Sequence, residues 1–314
     1  MHVKDENEYE DLLAEWSDLE SGLGIILSYP ESTQQFTQRV LQYDRWMQGL
    51  LLRDQDAGLY LLFQLASNSP VGYSASHALV CAVLCNLIAH ELGLPHKERD
   101  SLVRAALTMN VAMTQMQDIL ANQTDKPTPV QQEMIRVHPV KGAMMLGNMG
   151  VQDEDWLEVV GGHHGNQPEV GGFQEVASSE RLTRVLKMVD RYAAMISPRL
   201  SRAGRTAAES AHAVMAQSAS NDAIGQALMR VVGQCPPGTF VRMDSDELGV
   251  VLRRGKQPNM PFVAIVGSSD GQLLRSPRLH ATAEALPRIR SALAASSVRA
   301  QLNHYQILRL GGQA

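Results

Sequence analysis

The segment Ser74–Leu92 constrains this chain more than any other. It is strongly apolar, with His77, Val80, Cys81, Leu84, Leu87, Ile88 and Leu92 at helical spacing. Gly93, with Pro95 just beyond, supplies a stop signal. A helix of that composition has to be packed among others, and periodicity elsewhere supplies the partners. Apolar residues recur at helical spacing from Glu8 to about Leu65, as Leu12, Leu13, Trp16, Leu19 and then Phe36, Val40, Trp46, Leu50, with Pro30 between the two stretches. Glu98–Met116 reads as the next helix, with Leu102, Ala105, Ala106 and Met109 on one side. Aromatic residues make up only 5% while Ala, Leu and Met abound, which favours helices over sheets. No stretch approaches about eighteen consecutive apolar residues, so no membrane span is expected.

Further along, Thr128, Pro129 and Gln131 read as an N-cap, an N1 proline and a capping box. Pro139, just after His138, is expected to interrupt that helix. Another helix runs from about Asp153 to His164, and Gly165–Gln174 is a loop. Arg181–Ser197 is helical. Thr206 and Glu209 form a second capping box, opening a helix to about Val232. After Pro236-Pro237-Gly238 the period changes, and Thr239–Met243, Leu248–Leu252 and Phe262–Val266 are β-branched runs parted by turn residues. The tail from about Pro287 to Ala300 is expected to be helical. The expected class is therefore all-α: a helical bundle with an N-terminal helical extension (residues 1–70), a central helical domain (71–235), and a small β element followed by a C-terminal helix (236–314).

The 314 residues suffice for one large domain or two ordinary ones. A net charge of −5 and pI ≈ 6.1 argue against a general nucleic-acid binder. The charge is uneven. Eight acids and one Lys fall in the first twenty residues, which is not the pattern of a secretory signal. Seven basic residues lie between Arg181 and Arg205. Of these, Arg184, Lys187 and Arg191 read as a solvated helix face. Three cysteines, an odd count, suggest reduced thiols and a cytoplasmic location. Cys81 and Cys85 share a helix face and read as packing residues.

Four of the ten histidines stand out together with one aspartate. His163 and His164 are adjacent at a helix end. His138 sits at a proline-marked step, His77 on the apolar helix, and Asp190 mid-helix among basic residues. Neutral imidazole and carboxylate are the ligands expected of a hydrolytic Zn, Fe or Mn site. On spacing alone, a satisfied core histidine and an ordinary surface pair are the commoner accounts.

The order of these residues resembles the HD-GYP family of cyclic di-GMP phosphodiesterases. The stretches that carry the resemblance are "YSASHALVCAVLCNLIAHELGL", "LVRAAL", "MIRVHPVKGAMML", "VVGGHHGNQPEVGGF", "LKMVDRYAAMISPRLSR" and "PPGTFVRM", from about Tyr73 to Val241. The resemblance implies an HD-domain-like bundle around a two- or three-metal centre that activates water to cleave the dinucleotide. His77 matches the family's first helix histidine, His138 the histidine of its "HP" step, His163 and His164 its paired histidines, and Asp190 its late aspartate. Arg199 and Arg202 match basic residues that contact substrate phosphate, the alternative being two solvated arginines.

Other positions depart from the pattern. Met109 and Asn110, in "AALTMNVAM", stand where the family has its His-Asp pair, and Met113 replaces a nearby lysine. Tyr73 stands where many members carry a ligating glutamate. The family's "HHE" ends in Gly165, and its Gly-Tyr-Pro is Gly172-Phe173-Gln174. The missing aspartate would bridge two cations, and neutral Asn110 offsets no metal–metal repulsion. The thioether of Met109 is a poor ligand for hard divalent ions. No metal cluster is therefore expected. The remaining histidines and Asp190 would hold one divalent transition ion (Fe, Mn or Zn), or else form a polar network with no ion, and no residue is assigned a catalytic role.

Three functions stay open at this level. One is a regulatory module without catalysis that docks a diguanylate cyclase or response regulator and still binds cyclic di-GMP. Another is a phosphodiesterase or phosphohydrolase with a mononuclear site. The last is a structural helical protein, a homodimer for example.

Overall fold

The computed structural model describes residues 6–68, 71–165, 170–216, 223–257, 259–298 and 301–314. Every residue from Ser74 to Ala89 is buried, and the helix that carries them, α4 (Tyr73–Glu91), is the axis of the fold. Three helices precede it: α1 (Glu6–Ser28), α2 (Phe36–Arg53) and α3 (Gln55–Asn68). After it come α5 (His96–Thr108), α6 (Thr114–Ala121), α7 (Pro129–Asn148), α8 (Glu154–Gly162), α9 (Ser178–Ile196), α10 (Ala207–Met215) and α11 (Ala223–Val232). α4 packs against α1, α3, α5, α6, α9 and α11. Among the described helices it is the one long and apolar enough to cross a membrane by length and composition, and it lies buried inside the fold. Its first turn is capped from outside. The N-cap, Gly72 (φ 143°), has no side chain, and the Asp118 carboxylate of α6 accepts from the Ser74 N–H (2.8 Å) and the Ser74 hydroxyl (2.9 Å). A Cβ at Gly72 would lie 3.2 Å from Asp118 Oδ1.

Both expected capping boxes are present, Thr128 with Gln131 opening α7 and Thr206 with Glu209 opening α10. Several boundaries differ from expectation. Pro139 does not interrupt its helix; α7 runs through it to Asn148. The expected single helix over 98–116 is two, α5 and α6, with Met109–Met113 in the turn between them. The expected helix from Thr206 to Val232 is also two, α10 and α11, with residues 217–222 outside the described set.

The chain ends in a five-stranded antiparallel sheet and a helix, so it is mostly helical rather than all-α. The strands are β1 (Phe240–Met243), β2 (Leu248–Arg253), β3 (Phe262–Gly267), β4 (Leu273–Ala281) and β5 (Ile289–Leu293), in the order β4-β3-β2-β1-β5, followed by α12 (His304–Gly311). The first three match the β-branched runs. β4 has little apolar alternation because it is an exposed edge strand carrying Arg275, Pro277 and Arg278, residues suited to an edge. β5 corrects the expectation of a helix over 287–300. The free edge of β1 takes up Ile289–Leu293 in antiparallel pairing, and that long-range demand overrides the local preference of an Ala-rich segment. The terminal helix starts only at His304, capped by Asn303.

Alternation along the strands gives the sheet two apolar faces. Phe240, Val250, Leu252, Ala264 and Val266 join the main core, while Val241, Met243, Val251, Val263 and Ile265 form a smaller cluster. The sheet is anchored to the N-terminal helices at several points. Gly238 (φ 90°) passes so close to α3 that a Cβ there would meet the Tyr60 carbonyl oxygen at 2.6 Å. The Arg253 guanidinium pairs with buried Asp54, donates to Tyr9 Oη (3.1 Å) and reaches the Gly311 carbonyl oxygen, joining β2 to α1, α12 and the start of α3.

Candidate metal centre

Four helices, α4, α7, α8 and α9, converge on one site. α4 contributes Tyr73, His77 and Cys81 along one face, α7 contributes His138, the end of α8 contributes His163 and His164, and α9 contributes Asp190. The turn after α9 adds Arg199 and Arg202.

Local sequence explains how two of the imidazoles are aimed. A helix proline has no N–H for the carbonyl four residues before it, so Pro139 frees the Ile135 oxygen. His138 Nδ1 donates to that oxygen (2.6 Å). At the end of α8 the last-turn carbonyls are also without helical partners, and His163 Nδ1 donates to the Val160 oxygen (2.7 Å). Carbonyl oxygens only accept, so both Nδ1 atoms carry protons and both Nε2 atoms present lone pairs. Those two Nε2 atoms face each other at 3.2 Å. Two lone pairs at that distance repel unless a cation sits between them.

A proton does not fill that role near neutral pH. Burial lowers the pKa of His138 to about 4 and that of His163 to about 3, and the charge of His164 adds to the effect in both. A metal ion fits better. Imidazole nitrogens about 2.0–2.1 Å from a tetrahedral ion stand roughly 3.4 Å apart. His164, exposed, joins them, and one ligand nitrogen of each of the three lies within 4.8 Å of the others. The backbone bonds at Nδ1 are the outer-shell partners that metal-ligating histidines usually have.

A second group lies beside the first. His77 Nε2 and Asp190 Oδ1 are 2.8 Å apart, and Cys81 Sγ is 3.7 Å from His77 Nε2. Burial alone would raise the Asp190 carboxyl. The His77 hydrogen bond outweighs it and holds the carboxyl well below the usual range. The structure thus divides the five expected ligands between a three-histidine group and a His77–Asp190 pair, and it adds Cys81, read from sequence as packing alone. The available signal was spacing: Cys81 lies one helical turn after His77.

Tyr73 closes the far side of the second group. Its ring stacks on His77, with centroids 5.5 Å apart. The Arg199 guanidinium sits 4.8 Å over the Tyr73 ring and donates to its Oη at 3.0 Å. Arg199 Nε is buried with no hydrogen-bond partner. Arg199 and Arg202 exchange backbone hydrogen bonds of 2.8 and 2.9 Å, and partial burial and the charge of Arg199 lower the pKa of Arg202.

Met109 is fully buried in the main core, and Met113 is buried at the start of α6. The Asn110 carbonyl oxygen accepts from the Met113 N–H (2.8 Å) and from Thr114 Oγ1 (3.3 Å). Gly165 is exposed and donates to the Gly162 oxygen (2.8 Å); Phe173 is half-buried against the core; residues 166–169 of the intervening loop lie outside the described set. Arg184 corrects an expectation. It is buried, donating to the Gly171 and Val170 carbonyl oxygens (3.0 and 2.7 Å) and pairing with Glu180, so it holds the glycine-rich loop and is not part of a solvated face.

The lowered histidine pKa values predict an acid-sensitive metal-free protein. Above pH 6.5 both states carry neutral His138 and His163. Between pH 6.5 and about 4 the unfolded chain binds protons that the folded chain refuses, so stability falls with pH. With chelator present, each histidine should cost about 1 kcal/mol over the first pH unit below 6.5. Urea midpoints at pH 7.0, 6.5 and 5.5 check this; a midpoint that stays level or rises on acidification counts against it.

A family model for the HD domain matches residues 61–228, more than half of the chain. The chain is 29% identical over 207 residues to the cyclic di-GMP phosphodiesterase PA4108 of Pseudomonas aeruginosa, covering 63% of this chain and 49% of that protein. It thus spans about half the length of the curated relative it matches. Among solved structures, Bd1817, described as an HDG"Y"P protein from Bdellovibrio bacteriovorus, matches with a TM-score of 0.49 and 14% identity, over 68% of this chain and 69% of that one.

Proposed function

The chain belongs to the HD domain family, and on that premise we propose that it is a degenerate HD-GYP-like signalling module that binds cyclic di-GMP and hydrolyses it slowly or not at all. In this reading His138, His163 and His164 hold one divalent transition ion, Arg199 and Arg202 draw in the phosphates, and the output is docking to a signalling protein such as a diguanylate cyclase or response regulator. The observation that carries it is the position of the motif changes. Met109 is packed into the apolar core and Asn110 is neutral, so the residues that would bridge two cations are gone while the three-histidine group persists.

An ion held there would act as a Lewis acid toward a phosphoryl oxygen. The chain's own residues do the rest. The Ile135 and Val160 carbonyls hold the imidazoles in one tautomer and orientation. Tyr73 stacks on His77 and positions Arg199. Arg199 and Arg202 supply charge-assisted donors for an anionic ligand.

A second reading, a phosphohydrolase with a mononuclear site, is favoured by one observation. Of the three histidines His164 alone is exposed, and three protein ligands with one open position suit a hydrolytic ion. Calorimetric titration of cyclic di-GMP, run beside a turnover assay with Mn²⁺ or Fe²⁺, separates the two. Binding without turnover supports the signalling module. Multiple turnover abolished by His163→Ala and His164→Ala supports the enzyme. Neither binding nor turnover leaves protein docking alone.

A further inference from the structure

Cys81 is packed in the main core and also stands beside His77 and Asp190. His77 and Cys81 are 2% and 0% exposed, and their ligand atoms and an Asp190 oxygen lie within 4.8 Å of one another. Cys85, one turn further along the same helix face, is just as buried but takes no part in the group. We propose that His77, Cys81 and Asp190 form a second metal site, distinct from the three-histidine group and not bridged to it, which takes a thiophilic divalent ion such as zinc through the Cys81 thiolate.

The geometry suits a tetrahedral ion. Bonds of about 2.3 Å to sulfur and about 2.0 Å to nitrogen set the two ligand atoms roughly 3.6 Å apart, and Cys81 Sγ stands 3.7 Å from His77 Nε2. The His77–Asp190 contact of 2.8 Å is a hydrogen bond in the metal-free cluster. It opens by about half an ångström when the ion takes the place of the shared proton, which shifts to His77 Nδ1 as Nε2 becomes the ligand. Charge balance favours the same occupant. One thiolate and one carboxylate neutralise a divalent ion in a buried place, where an uncompensated charge is costly. The thiol gives up its proton to solvent on binding, because a coordinating thiol is deprotonated by the ion.

The two groups therefore differ in kind. Three imidazoles form a neutral donor set that accepts several transition ions, whereas a thiolate selects softer ones. Cys81 stands in for charge lost with the missing aspartate, but only at the His77–Asp190 end. This inference extends the reading of the centre as metal-binding and assigns to it a second ion of its own chemistry.

Cobalt(II) titrated into the chelator-treated full chain tests it. A thiolate bound to cobalt(II) gives a near-ultraviolet charge-transfer band, which imidazole and carboxylate do not. The expected result is such a band in wild type, lost in Cys81→Ala and in Cys81→Ser, and retained in Cys85→Ala and in His138→Ala. X-ray absorption of the zinc-loaded wild type, which depends on no variant folding, should show a sulfur neighbour at about 2.3 Å. Cobalt uptake with no band, a band that survives Cys81→Ala, or zinc with only nitrogen and oxygen neighbours overturns the Cys81 assignment while leaving the three-histidine site standing. No uptake at all overturns both.

Discussion

Hydrolysis of cyclic di-GMP by this protein, supplied with Mn²⁺ or Fe²⁺, is expected to run about three or more orders of magnitude below that of a centre with its bridging carboxylate intact. Two cations held close together clamp both the attacking and the leaving oxygen, and each such contribution is worth several kcal/mol of barrier. Here the bridge is absent, since Asn110 is neutral and Met109 is packed in the core. Losing about 4–5 kcal/mol of stabilisation costs roughly a thousandfold or more in rate. A second ion at His77, Cys81 and Asp190 would not restore the bridge, because its ligands belong to it alone. The measurement is single-turnover product formation at saturating protein. Robust multiple turnover that vanishes in His163→Ala and His164→Ala would overturn the expectation and place the protein among the enzymes.

Replacing both Arg199 and Arg202 with Ala is expected to weaken cyclic di-GMP binding by ten- to a thousandfold. Charge-assisted bonds from arginine to phosphate contribute about 1.5–3 kcal/mol each, and solvent screening at exposed Arg202 brings the pair toward the lower figure. Arg199 is already aimed, since Tyr73 holds its guanidinium by a hydrogen bond and by ring contact while its Nε remains without a partner. Tyr73→Phe should therefore weaken binding less than the double change, removing the hydrogen bond and keeping the ring. The matched control is Lys187→Ala with Arg191→Ala on α9, which should leave affinity within about threefold. Arg184 is unsuitable as a control because it holds the loop at Val170 and Gly171. Calorimetric titration of cyclic di-GMP and its linear product reads all of these, and binding indifferent to Arg199 and Arg202 would remove them from the site.

What the sequence by itself determined lies mostly within reach of local rules. The apolar run Ser74–Leu92, the capping boxes at Thr128 and Thr206, and the β-branched runs of β1 to β3 are all encoded over a few residues, and they fold as read. His77, His138, His163, His164 and Asp190 stood out as candidate ligands through an order that resembles a known family. Tertiary structure alone decided how that set divides, because the division depends on where four helices cross. It joined Cys81 to His77 and Asp190, and it packed Met109 into the core. It buried Arg184 under a loop thirteen residues away and recruited Ile289–Leu293 to an open strand edge. It also kept α7 continuous through Pro139. The lost backbone bond left the Ile135 carbonyl free, and His138 took it. At Arg184, at Ile289–Leu293 and in the divided histidine set the partners are distant in sequence, and local propensity, worth at most about 1 kcal/mol per ordinary residue, gave way to them.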